Sequence, residues 1–241
     1  MEIAPGLHRI GNDLVAAYLV VATGGITVID AGLPGHIRDL RRELAALGRT
    51  VGDIRGVVLT HGDSDHLGFA ERLRRDHGIP VYIHAGDADR ARGGDKPKTP
   101  MGPSRFGALL GFFAYGLRKG GVRVHHLTEV VEVEDGDVLP LPGSPRVIGM
   151  PGHSPGSIAV SVPLVDAVFV GDALTTRSVL TGAAGPAPAP FTDEPEVALA
   201  SLDRLLELGA HRLLPGHGPV WHGEPADVVR LVREAALQPQ G

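Results

Sequence analysis

Short apolar runs dominate the first third of the chain. Leu14–Val21 and Gly25–Asp30 are rich in β-branched residues and are separated by Ala22-Thr23-Gly24-Gly25, a hairpin signal. From residue 36 to 47 the period changes: Ile37, Leu40, Leu44 and Leu47 fall on one stripe of an amphipathic helix. Strands are then expected over Ile54–Leu59 and Pro80–His84, with a helix between them ending near His77. The second half predicts strands at 122–127, 129–133, 146–150, 157–162, 167–170 and 213–214. It also predicts helices at about 195–208 and 226–237. Ala183–Pro190, built from Ala, Gly and Pro, reads as an extended loop.

Residues 85–121 break this rhythm. Gly93–Pro100 is a polar loop rich in helix breakers. Beyond it Phe106, Leu109, Leu110, Phe113 and Leu117 form a helical stripe, weakened by glycines that each cost about 1 kcal/mol relative to Ala. Four of the ten aromatic residues lie here. The segment is either a helix packed on the core, an apolar flap over a site, or a homodimer contact. No composition shift marks a linker, so 1–241 reads as a single domain with a flap or insert at about 88–121.

Composition narrows the chemistry. The 241 residues carry a net charge of −5 and no long basic run, which argues against a nucleic-acid partner. With no cysteine, disulfides, thiolate ligands and a Cys nucleophile are excluded, so any metal must be held by imidazoles and carboxylates. No signal peptide and no apolar stretch long enough to span a bilayer is visible, and a cytoplasmic location away from membranes is the expectation.

Residues 60–68, Thr-His-Gly-Asp-Ser-Asp-His-Leu-Gly, place His61, Asp63, Asp65 and His66 between a strand and a helix. So many charged and imidazole groups repel or waste hydration unless cations share them. Three further turns each follow an apolar strand and present one candidate ligand: His153 in Gly-His-Ser-Pro-Gly, Asp172 in Gly-Asp, and His217 in Pro-Gly-His-Gly. A polar turn accounts for any one of them; their joint recurrence at strand ends points to a site. His84, His125, His126, His211 and His222 read as structural or surface residues, with at most one near a substrate, and His8, His36 and His77 as surface residues.

Together with Val28-Ile29-Asp30-Ala31-Gly32, these motifs resemble the metallo-β-lactamase-fold hydrolases over about residues 8 to 237. The resemblance implies a mixed α/β fold, an αββα sandwich of four layers with metals at one end of two sheets. It assigns His61, Asp63 and His153 to a first ion, Asp65, His66 and His217 to a second, and Asp172 as a bridge, with Asp30 supporting the ligand loop. Asp63 stands where the family usually has His; a carboxylate is the harder ligand, lowers the charge of the first site and raises the share of manganese or iron against zinc. The implied chemistry is metal-assisted hydrolysis. Water activated by a dinuclear centre attacks an ester, lactone or thioester carbonyl of a small, partly apolar substrate, and Asp65 or Asp172 handles the proton. An iron-dependent, sulfur-dioxygenase-like oxidoreductase and a phosphodiesterase are the alternatives.

Overall fold

The computed structural model describes residues 1–97, 99 and 102–237; the positions predicted as loop at 98 and 100, and the last residues of the expected single domain, lie outside them. In chain order the first sheet comprises β1 (Glu2–Ala4), β2 (Leu7–Gly11), β3 (Ala16–Ala22), β4 (Gly25–Ile29), β5 (Ile54–Val58), β6 (Val81–His84) and β7 (Val131–Val133). They lie side by side in that order, antiparallel through β4 and parallel from β4 to β7. The parallel connections carry α1 (Ile37–Ala46), then α2 (Ser64–Leu67) and α3 (Ala70–His77), then α4 (Ala85–Ala91) and α5 (Phe106–Arg118). The second sheet contains β8 (Arg146–Gly149), β9 (Ile158–Val162) and β10 (Ala167–Gly171). A small ribbon of β11 (Thr175–Arg177) and β12 (Ala184–Ala187) follows. After α6 (Pro195–Ser201) come β13 (Arg212–Pro215), β14 (Trp221–His222) and α7 (Pro225–Leu237).

The four layers follow from the two-residue period of the strands. In β3, Ala17 and Leu19 pack under α1 and α3 with Leu40, Leu44 and Leu73, while Tyr18 and Val20 point to the other sheet. In β10, Ala167 and Phe169 answer them from across the interface, and Val168 and Val170 pack outward against Leu202, Leu205, Val228 and Val232. Every second residue therefore serves a different core, and three cores separate helix, sheet, sheet and helix. The rings of Tyr18 and Phe169 meet at 5.3 Å between the sheets; truncating either would cost about 3–5 kcal/mol.

Several elements differ from the pattern reading. β1 and β2 were invisible to it because His8 and Arg9 interrupt the apolar run. Both are buried with partners: His8 Nδ1 lies 2.9 Å from Glu43, and Arg9 donates to Asp13 and to the Gly218 carbonyl. The expected strand at 122–127 does not form; Val122 and Val124 have no neighbouring strand and face solvent, and only Leu127 is buried. Part of the 183–190 loop pairs with β11 as β12, and the helix expected to 208 tightens into a 3-10 segment at Leu202–Glu207. No helix among the described residues is long and apolar enough to cross a membrane.

Candidate metal centre

The predicted ligands all sit just beyond the carboxyl ends of strands at one end of the sandwich, where adjacent parallel strands open a crevice. Asp30 follows β4 and Thr60–His66 follows β5; His153 follows β8, Asp172 follows β10, and His217 follows β13. They come together as expected. Three sets place one donor atom from each residue within 4.8 Å of the others: His61, Asp63 and His153; Asp65, His66 and His217; and His61, His66 and Asp172. Asp172 lies between the first two sets, with Oδ1 3.6 Å from His66 Nε2 and Oδ2 3.2 Å from His217 Nε2 and 3.8 Å from His153 Nε2.

Outer hydrogen bonds fix the orientation of all four imidazoles. Asp30 Oδ2 accepts from His66 Nδ1 at 2.9 Å, and the Leu14 carbonyl accepts from His217 Nδ1. The Thr60 hydroxyl donates to the Asp30 carboxylate, so its oxygen accepts from His61 Nδ1 at 3.1 Å. Thr192 likewise donates to the Ala189 carbonyl and accepts from His153 Nδ1 at 3.2 Å. Each ring is thus left presenting Nε2 to its neighbours. Asp30 adopts φ 57°, a left-handed conformation that Asp tolerates, which turns its carboxylate back onto Thr60 and His66.

The donor set fits divalent cations. His61 Nε2, His66 Nε2, His153 Nε2 and Asp172 Oδ1 are buried without hydrogen-bond partners. Four such atoms converging on one space would be costly as structure alone. Burial penalises the charge on His66, but Asp30 and Asp172 outweigh it and push its pKa up to about 10. His217 is raised to about 9, burial again being outweighed by Asp172 and Asp65. Burial, with the neighbouring His66 and His153 imidazoles, lowers the His61 pKa well below its ordinary value. Burial raises Asp172, but the surrounding imidazolium charge brings it well below the ordinary carboxylate range. Protons on His66 and His217 thus occupy positions that a metal would take. Close approach demands glycine at 216, where a Cβ would stand 2.5 Å from the His66 ring and 2.6 Å from Asp172.

Three contributors carry no sequence signal. Asp87, fully buried at the start of α4, accepts from Gly62 N at 2.6 Å, Ser154 Oγ at 2.7 Å and Gly156 N at 2.7 Å, tying the His61 loop to the His153 loop. Arg90 Nε donates to Asp63 Oδ1 at 2.7 Å while its Nη1 donates to Asp193 at 2.6 Å. Lys96 Nζ donates to Asp63 Oδ2 at 2.6 Å. Burial would raise the Asp63 carboxyl, yet His153, His61, Lys96 and Arg90 together hold it far below its ordinary value.

The centre opens into a cavity of about 700 Å³ whose far wall is α5. Leu109, Leu110, Phe113 and Leu117 line it with Val179 and Phe191. The packed-core reading of the α5 stripe is therefore overturned: Phe106, Leu110, Phe113 and Leu117 are 81, 57, 61 and 67% exposed. The opposite side anchors the helix through Tyr115, packed with Val15 and Leu33. His36, expected at the surface, is fully buried; Leu33 N–H donates to its Nδ1, so its Nε2–H meets the Tyr115 hydroxyl at 2.7 Å. Phe112 reaches the metal centre, its ring 6.4 Å from that of His217.

Comparisons with known proteins agree with this fold. The model of the metallo-beta-lactamase superfamily matches residues 10–217. The probable metallo-hydrolase YflN of Bacillus subtilis is 27% identical over 232 residues, spanning 90% of this chain and 85% of that protein. The probable metallo-hydrolase YqgX of the same organism is 28% identical over 216 residues, 87% and 88% of the two chains. Among solved structures, metallo-beta-lactamase family protein TTHA1429 from Thermus thermophilus superposes with a TM-score of 0.68 at 26% identity, covering 97% of this chain and 79% of that one. TTHA1623, solved in a di-iron-bound form, gives a TM-score of 0.63 at 28% identity, covering 93% and 97%. Fold, ligand clusters and relatives converge: the chain belongs to the metallo-beta-lactamase superfamily, as a metallo-hydrolase-like protein with candidate His and Asp metal ligands.

Proposed function

We propose that the chain is a dinuclear metal-dependent hydrolase acting on an ester, lactone or thioester whose acyl part is apolar. The observation that carries this reading is the continuity of the ligand cluster with the apolar cavity under α5. His61, Asp63 and His153 would hold one divalent cation, Asp65, His66 and His217 the other, and Asp172 would serve both. Zinc is the first choice, with manganese or iron as alternatives. Such cations supply Lewis acidity and allow water to act as the nucleophile near neutral pH.

The protein's own groups do the rest. Asp30, Thr60, Thr192 and the Leu14 carbonyl hold the imidazoles in register, so little reorganisation accompanies reaction. Leu109, Leu110 and Phe113 would seat the acyl chain and exclude water from its carbonyl. Asp65, the more exposed of the two acids, can accept the proton of the attacking water; Asp172 is enclosed by imidazoles and would orient it. The reading places the protein away from membranes, in the cytoplasm, with a small-molecule substrate.

The test is a panel of p-nitrophenyl esters, lactones, thioesters and phosphodiesters, assayed after chelation and after metal is restored. Metal-restored turnover of acyl substrates, rising with acyl length, supports the reading. Turnover of phosphodiesters alone, or of none of the panel, rules it out. A second reading, iron-dependent oxidation of a sulfur substrate, draws on the di-iron-bound form of the relative TTHA1623. Oxygen consumption by iron-loaded protein with a thiol or persulfide substrate would favour it.

A further inference from the structure

The two halves of the metal centre meet different charges. In the first set, Oδ2 of Asp63 is the oxygen that faces the imidazoles, 3.6 Å from His153 Nε2 and 3.9 Å from His61 Nε2. That same oxygen accepts the Lys96 ammonium at 2.6 Å. Its companion, Oδ1, is held at 2.7 Å by Arg90, which is buried and locked in turn onto Asp193. In the second set nothing comparable occurs. Among the described residues, no lysine or arginine lies within ion-pair distance of Asp65 or Asp172; their partners are the histidines alone.

We propose that Lys96 is a tethered cation that competes with the first metal for Asp63 Oδ2, so the centre fills in order, the Asp65–His66–His217 position first and the Asp63 position second and more weakly. The inference rests on the two-metal reading above. Arg90 and Lys96 play different parts in it. Arg90 binds the outward oxygen and aims the carboxylate, as an outer partner of a ligand does. Lys96 binds the inward oxygen, where a metal and an ammonium exclude each other by space and by charge. The ammonium is able to leave: Lys96 is on the loop beyond α4, its side chain is 38% exposed, and it lines the cavity. Its withdrawal exchanges one ion pair for contact with solvent, so the competition weakens metal binding without forbidding it.

The experiment is a calorimetric titration of metal-depleted protein with Zn²⁺ alone, repeated with Mn²⁺. Wild type is expected to show a tight step and a weaker one. Lys96→Met, which keeps the stem and removes the charge, is expected to tighten the weaker step by about tenfold and leave the tight step in place. Lys96→Arg is expected to retain two unequal steps. His217→Ala should remove the tight step. The proposal is overturned if Lys96→Met leaves the weaker step unchanged, if it tightens both steps alike, or if His217→Ala removes the weaker step. Absence of any metal binding by wild type would sink this inference and the hydrolase reading together, whereas two equal steps would sink this inference alone.

Discussion

The ligand end of the sandwich and the α5 wall across the cavity are built on opposite principles. At the ligand end each imidazole Nδ1 has a partner, the imidazole atoms left without one converge on the centre, and the loops are tied to strand ends by Asp30, Thr60 and Asp87. At the wall, a glycine-containing helix exposes Phe106, Leu110, Phe113 and Leu117 and is anchored chiefly through Tyr115. A buried polar network tolerates little change because each lost partner leaves an unpaired group. An exposed apolar wall can change at small cost to folding. In the proposed hydrolase the difference would separate reaction chemistry from substrate choice, the first carried by a rigid part and the second by a replaceable one.

Asp30→Ala attacks the rigid part. It removes the acceptor of Thr60 N, Thr60 Oγ1 and His66 Nδ1 together. A stability loss of about 4 kcal/mol is expected in denaturant unfolding, with metal affinity lower by about 10–100-fold. A loss no larger than that of a surface substitution would show that the network is slack.

The junction of the two regions should respond to pH. Burial, with help from Lys119, lowers the His36 pKa to about 4 from an ordinary value near 6.5. The unfolded chain therefore takes up a proton where the folded one does not. The contribution of neutral His36 is full above about pH 6.5 and falls as the pH drops toward 4, by on the order of 3 kcal/mol. Unfolding curves of His36→Gln should lack that part of the decline; parallel pH profiles for the two proteins would refute the assignment.

On the wall, replacing Leu110 and Phe113 with serine should raise KM for long-chain acyl substrates by about tenfold, leaving short-chain substrates and metal content unchanged. A change in metal content would mean that the two regions are coupled. The smallest effect belongs to Tyr115→Phe, which loses one buried hydrogen bond to His36 and should cost about 1 kcal/mol of stability in thermal or chemical unfolding.

How much of this was legible beforehand follows the same division. Strands β3 to β6 announce themselves as apolar runs because both of their faces meet a core, and helix α1 announces itself because a single stripe of it does. The candidate ligands are legible because His and Asp recur on glycine-bounded turns after apolar strands. Asp87, Arg90 and Lys96 were not legible. They act through hydrogen bonds to residues tens of positions away, and nothing local distinguishes them from solvated surface charges. The buried His8 and His36 resemble surface residues in sequence for the same reason, since their partners Glu43 and Tyr115 are distant in sequence. The α5 stripe was legible as a helix, but its periodicity could not say whether its apolar side meets a core or a cavity.

Seven residues, His61, Asp63, Asp65, His66, His153, Asp172 and His217, form the proposed metal centre. Elemental analysis of wild type and Asp172→Ala, each equilibrated with excess Zn²⁺ and desalted, tests this most directly, with circular dichroism to establish that the variant is folded. Because Asp172 lies between both ligand sets, the account predicts up to about two ions per wild-type chain and less than about one in the variant. Equal metal content in the two folded proteins, or none in wild type, would contradict it.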